Sequence, residues 1–286
     1  MDTEFWVIQV FNGISYGALL FLLAGGLSLI FGVMRIVNLS HGSYFMLGGY
    51  VALTVIWTTD LWVLSIPVAA LTVAVIGLIM ERVFLRPLGF DPLRQVLLTV
   101  GFAFLFQQGA LDIWGGDNLT ITPPDLLEES VVIAGIYFPL YRVFMIGIAV
   151  AIGVTIWLTM EKTRMGAMVR AAVDDSEMAR GVGVDTSRVS MFIFALGAFL
   201  AALGGVIGGA FLGVYPGLDF EILPIAFAVV IIGGMGSLGG AAIGSLIVGL
   251  ADNFGKALFP EISYFTLYAP MVLILALKPT GLFGRE

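Results

Sequence analysis

The stretch EKTRMGAMVRAAVDDSEMARGVGVDTSRVS, residues 161–190, interrupts a chain of long apolar runs and carries five of its 13 Lys and Arg: Lys162, Arg164, Arg170, Arg180 and Arg188. Outward from it, the other polar passages are of two kinds. Residues 81–94 (Arg82, Arg86, Arg94) and the tail (Lys278, Arg285) are basic. The connections near 58–62, 115–140 and 214–221 contain no Lys or Arg and hold Asp60, Asp117, Asp125, Glu128, Glu129, Asp219 and Glu221. Basic and acidic connections in alternation are the positive-inside pattern of a polytopic membrane protein, with the basic passages cytoplasmic.

Composition agrees. A mean hydropathy of +1.05 with 12% charged residues leaves more apolar surface than one soluble core of 286 residues could hide. The net charge of −7 argues against nucleic acid as a partner. With no cysteine the chain has no disulfide, thiol nucleophile or thiolate metal site. Asp2 and Glu4 stand where a signal peptide would be basic, so no cleavable leader is expected and the N-terminus is read as exterior.

About 20 apolar residues are needed per spanning helix. The runs 5–34, 62–80, 95–114, 141–160 and 191–213 meet that length, 41–57, 222–233 and 239–256 are shorter or less regular, and 264–278 closes the chain. The expectation is an all-α transmembrane bundle, one domain over 1–286, with nine crossings and a cytoplasmic C-terminus. If one short run is re-entrant the count is eight. Two breaks stand out: residues 35–44, with Arg35, Asn38, Ser40 and His41, and the glycine run 233–240. Irregular backbone at membrane depth survives only inside protein or against a wet cavity, and paired breaks in the two halves of a chain point to a central substrate path. An ordinary turn at each place is the alternative.

Candidate path residues are therefore Asn38, Ser40, His41, Gly234 and Gly236, with the neutral polar groups of the spans: Asn12, Ser15 and Tyr16 in the first, Gln107 and Gln108 in the fourth. Such a lining suits a small polar or zwitterionic substrate. No carboxylate relay or arginine ladder crosses the apolar runs, against a proton-coupled carrier or voltage sensor. His41 is the sole histidine, so no metal site is expected, and its simplest role is to hydrogen-bond a broken helix. Gly234, Gly236 and Gly239 fit G-x-G-x-x-G without the strand a dinucleotide site requires. The pairs Gly13/Gly17, Gly204/Gly208, Gly205/Gly209 and Gly240/Gly244 suit close helix packing in lipid. Asp252 and Lys256 are spaced for an ion pair on one helix face.

Catalysis is not expected, for lack of a paired acid, base or nucleophile. There is no P-loop. Within 161–190, Asp174, Asp175, Ser176 and Glu177 form a helix start with an acidic cap. Met178, Ala179 and Val182 make an apolar stripe before Gly183, a shape that docks into a partner's groove. An autonomous channel or facilitator is the competing class.

Taken in order, Asn12-Gly13-Ile14-Ser15-Tyr16-Gly17-Ala18, Asn38-Leu39-Ser40-His41-Gly42 and Gly48-Gly49-Tyr50-Val51 resemble the start of the permease subunits of branched-chain amino-acid ABC transporters. So do Glu81-Arg82-Val83 with Arg86-Pro87, Thr163-Arg164-Met165-Gly166 with Arg170-Ala171, Ala179 with Gly183-Val184, Gly233 to Ser237, and the closing Lys278 to Gly284. The resemblance covers nearly the whole chain and is to the shorter of the two permease types. It implies a bacterial cytoplasmic (inner) membrane location, a second homologous permease, two cytoplasmic ATP-binding subunits holding ATP and magnesium, and an exterior substrate-binding protein. It also implies that 161–190 is the ATPase-coupling loop, with Arg170, Asp174, Asp175, Glu177, Met178, Val182 and Gly183 as its candidates. The loop departs from the usual opening Glu-Ala-Ala, having Arg170-Ala171-Ala172, and lacks the later Leu-Pro. Permeases of this kind serve leucine-like amino acids, urea, short amides and aromatic or other organic acids, and nothing in the apolar runs separates these.

Overall fold

A computed structural model describes residues 3–89, 91–133 and 135–284. Asp2 and Arg285, used in the charge argument above, lie outside the described residues. The chain forms α1 (Thr3–Met34), α2 (His41–Thr59), α3 (Trp62–Ile79), α4 (Pro92–Trp114), a short α5 (Asp125–Glu128), α6 (Leu140–Lys162), α7 (Arg164–Asp174), α8 (Ser176–Gly181), α9 (Thr186–Leu212), α10 (Leu218–Gly233), α11 (Leu238–Leu258) and α12 (Ser263–Leu277). A π turn (Met80–Leu85) and a 3₁₀ turn (Arg86–Leu88) prolong α3. Between α5 and α6 the strands β1 (Ser130–Ile133) and β2 (Ile136–Pro139) pair antiparallel, a small hairpin in what the sequence suggests is a plain loop.

Among the described residues, seven helices are long and apolar enough to cross a membrane: α1, α3 with its turns, α4, α6, α9, α11 and α12 with the 3₁₀ turn before it. With α2 and α10, which are shorter or more polar, nine elements alternate between two faces. On one face Asn253 of α11 donates to the Gln9 carbonyl of α1 at 2.8 Å, and Trp114 of α4 donates to Thr54 of α2 at 2.8 Å. This acidic face also carries 115–139. The opposite, basic face gathers the end of α1, residues 80–89 and 91–94, α7 and α8, and the 234–237 turn.

The bundle has a centre and a periphery. In the most apolar window of α1, 78% of residues are buried, and in that of α9, 72%; the figures are 17% for α4 and α6 and 6% for the last span. All are apolar, so the outer helices turn Val63, Leu97, Phe104, Val150, Phe265 and Leu277 outward. Water would reject such a surface and lipid accepts it.

Glycine builds the centre. Each pair noted in the sequence lies at a helix contact: Gly13 and Gly17 against Leu250 and Ser245 of α11, Gly204 and Gly208 against Phe45 and Leu19, Gly205 and Gly209 against α2 and Ile121, Gly240 and Gly244 against α10. Where α1 crosses α9, a Cβ added to Gly26 would stand 2.6 Å from the Gly197 carbonyl oxygen. Gly109 has nothing within 4 Å of an added Cβ. Gly26→Ala should therefore destabilise by about 1–3 kcal/mol through forced separation of backbones, and Gly109→Ala should leave stability unchanged or slightly raised. Thermal unfolding of the two variants in detergent, side by side, measures this; equal midpoints would contradict it.

Candidate functional site

The first break begins where α1 ends. Arg35 takes a left-handed conformation (φ 53°), its N–H still bonded to the Phe31 carbonyl at 2.8 Å, and the chain turns back along the bundle. Residues 36–38 have no regular structure and 39–40 turn into α2, with Ile36, Asn38 and Ser40 buried. Most of their polar groups find partners inside, whereas Asn38 Nδ2 is buried with none among the described residues. Asn38 Oδ1 accepts from the Ser40 N–H (3.1 Å) and from Ser40 Oγ (2.7 Å), and the Leu39 N–H donates to Thr99 Oγ1 of α4 at 3.2 Å. His41 opens α2, and its Nε2 lies 3.0 Å from the Leu23 carbonyl, about three turns inside α1. A carbonyl can only accept, so Nε2 carries the proton and His41 pins the start of α2 to α1. Met80 Sδ closes the group, accepting from Tyr44 Oη at 2.9 Å.

The second break follows α9. Gly213 (φ 78°) and Gly217 (φ 108°) bracket a short return over 213–217, and Val214 exchanges two backbone hydrogen bonds with Leu119 at 2.7 and 3.0 Å. Then α10 begins. Asp219 in its first turn is 2% exposed, and its Oδ2 accepts from Ser43 Oγ, in the first turn of α2, at 2.7 Å. A Cβ on Gly42 would collide with the Asp219 carbonyl. The N-terminal ends of α2 and α10 thus meet inside the bundle, one chain return entering from each face. The partial positive charge at both helix starts faces the Asp219 carboxylate, whose Oδ1 is buried with no hydrogen-bond partner among the described residues. Beside this junction runs an apolar cleft of about 490 Å³, bounded by Leu39, Val100 of α4, Phe220, Leu223 and Phe227 of α10, and Tyr268 and Met271 of α12.

This arrangement corrects two readings of the sequence. The break opposite 35–44 is 213–219, whereas the glycine run forms the α10–α11 turn at the basic face. There Gly234 (φ 96°) and Gly236 (φ 82°) take conformations that disfavour a side chain, Gly236 packs on Gly32, and the tail docks by Leu282 N–H to Ile232 O and Phe283 N–H to Gly233 O, both 2.9 Å. Asp219 is likewise no loop charge. Its proximity to Gly217 and Glu221 made it look like one, and a carboxylate two residues after glycine and five before Pro224 was the one available signal.

The remaining candidates disperse. Gln107 stands beside Gly217 at the second break, whereas Gln108 is exposed and bonds Asp112 of its own helix at 2.9 Å. Asn12 accepts from Arg142 of α6, whose guanidinium lies over the Phe211 ring. Ser15 bonds back to the Phe11 carbonyl at 2.8 Å. Tyr16 lies beneath Lys256, which pairs with the buried Asp252 at 2.7 Å, as the spacing predicts. These three make a separate polar cluster nearer the acidic face.

In the 161–190 segment Thr163 caps α7 by accepting from the Gly166 N–H (3.1 Å), and Asp175 caps α8 by accepting from the Glu177 and Met178 N–H groups (both 2.9 Å). Gly183 (φ 89°) ends the turn. Met178 and Val182 are 66% and 74% exposed, but Ala179 is buried, so the outward apolar surface is two residues rather than three. Arg170 donates to the Met160 carbonyl and lies 3.7 Å from Glu161, which ties α7 to the end of α6. Glu177 is exposed.

A family model described as the permease component of branched-chain amino acid transport systems matches residues 9–275. The chain is 30% identical to the high-affinity branched-chain amino acid transport system permease protein LivH of Escherichia coli K12, over 98% of this chain and 96% of that one. It is 29% identical to the corresponding protein BraD of Pseudomonas aeruginosa, over 97% and 95%. A probable LivH of Methanocaldococcus jannaschii is 27% identical over 96% and 91%. No solved structure matches. By this match over nearly its whole length, the chain belongs to the family of branched-chain amino acid transport system permease components.

Proposed function

We propose that this chain is one membrane subunit of an ABC importer that takes up branched-chain amino acids. The observation that carries the reading is the junction of α2 and α10 at Ser43 and Asp219, set beside an apolar cleft. A branched aliphatic side chain suits that cleft, and the unpartnered Asp219 Oδ1 suits an α-ammonium once the two helix starts separate. Asn38, Ser40, His41 and Gln107 line the breaks through which such a separation would open a path. Urea and aromatic acids lack one or the other feature. Affinity is supplied mainly by an exterior binding protein, and a second homologous permease completes the path.

Energy comes from two cytoplasmic ATP-binding subunits with magnesium, and this chain carries no catalytic residue. The charge pattern supports a bacterial cytoplasmic membrane location with the basic face cytoplasmic, the N-terminus exterior and the C-terminus inside. On that face α7 and α8 form the coupling loop, and the exposed Met178 and Val182 fit an apolar cleft in the ATPase.

Three outcomes follow. Asp219→Ala removes a charge-assisted contact of about 1.5–3 kcal/mol, so ATP-driven leucine uptake by the reconstituted complex should fall about tenfold or more. Urea and an aromatic acid, run alongside, should show no uptake dependent on Asp219, and equal uptake of all three would reject the substrate assignment. Met178→Asp should abolish uptake while insertion is intact, because the side chain is exposed here and buried only against a partner; undiminished transport would remove α8 from the coupling surface. A cysteine in place of Ser40, which is 0% exposed, should be modified by a small polar thiol reagent only in some nucleotide states. Labelling indifferent to ATP would mean that the first break never opens.

A further inference from the structure

A second cavity, of about 480 Å³, lies on the basic face between the end of α1, the π turn after α3, the α7–α8 junction and the start of α9. Its volume is that of a small-molecule site. Three cations, Arg35, Arg86 and Arg180, and three carboxylates, Glu81, Asp174 and Asp175, line it. Glu81 is the unusual member. It is 2% exposed, and its Oε2 is buried with no hydrogen-bond partner among the described residues. No ion pair among them joins Glu81 to Arg86 or Arg35. A buried carboxylate oxygen without a partner costs free energy, and the Glu81 side chain is part of the cavity wall. It also sits in a π turn, a local widening frequent at functional sites.

We propose that this cavity binds a small zwitterion, with its ammonium on Glu81 and its adjacent anionic group on Arg86 and Arg35. Both signs stand side by side in the lining, Glu81 with Arg86 on the turns after α3 and Asp174 and Asp175 with Arg180 at the α7–α8 junction, so a lone anion or a lone cation meets a like charge and a ligand carrying both is matched. Because the cavity bridges the transmembrane helices and the α7–α8 segment, its occupant fastens that segment to the bundle. The cavity lies apart from the Asp219 cleft, and dependence on Glu81 and Ser190, which line this cavity and not the cleft, tells binding here from binding there.

The same ammonium and anion pair belongs to a free amino acid and to the headgroup of an ethanolamine phospholipid, and the experiment separates them. The full-length chain, in nanodiscs of phosphatidylglycerol alone, is titrated calorimetrically with leucine, with 4-methylpentanoate, which lacks the ammonium, and with O-phosphoethanolamine. Saturable binding of leucine but not of 4-methylpentanoate is expected, weakened about tenfold or more by Glu81→Gln. It should be lost on filling the cavity with Ser190→Trp. Binding of phosphoethanolamine in place of leucine assigns the same site to lipid. In the native chain the bound probe should slow hydrogen exchange over 80–86 and 174–190, which needs no variant to fold. Absence of binding by both zwitterions, or binding indifferent to Glu81→Gln and Ser190→Trp, overturns the proposal.

Discussion

An apolar bundle in lipid offers no water to the polar groups of an interrupted helix, so every interruption must be satisfied from within. The chain meets this demand at one place for both of its breaks. Asn38 and Ser40 close the first return on itself, Thr99 takes up the Leu39 N–H, and His41 reaches across to the carbonyl of Leu23. Ser43 and Asp219 then join the start of α2 to the start of α10. If these bonds were absent, the Leu39 and Ser40 N–H groups would lie inside the bundle without an acceptor, each costing about 1–3 kcal/mol.

The central helices can hold this junction because their backbones come unusually close. Gly26 against Gly197 and Gly205 against Phe45 bring α1 and α2 onto α9 with no side chain between. Dispersion contacts then act over most of the length of α1 and α9, which is where cohesion in lipid must come from. The outer helices α4, α6 and α12 do little of this packing and present most of their surface outward. The apolar cleft lies where α4 and α12 flank α10, so its walls belong to the loosely held part of the bundle and its floor to the rigid part.

On the basic face, the caps Thr163 and Asp175 fix where α7 and α8 start, and Arg170 ties α7 to α6. The exposed Met178 therefore belongs to a segment anchored at both ends, by α6 before it and by α9 after it. The departure from the usual Glu-Ala-Ala opening is intelligible in this light, since Arg170 is spent on an internal contact.

Much was decided in the sequence alone. Charge alternation sets which connections share a face, because that pattern depends only on the order of loops. Asn38, Ser40 and His41 marked an interruption of the apolar run, either a buried break or an ordinary turn, and Asp174 to Glu177 announced a capped helix because capping is local. The tertiary structure alone decided what each of these meets. Ser43 and Asp219 are 176 positions apart, and nothing local in either residue encodes that separation. The glycine run at 233–240 and the return at 213–217 are both rich in glycine, and only the docking of Gly32 and the tail on the first, and of α2 on the second, makes one a surface turn and the other half of a junction. A small-residue motif declares that a backbone will approach; which backbone is settled by the packing of the whole bundle, because every helix in lipid offers the same van der Waals surface.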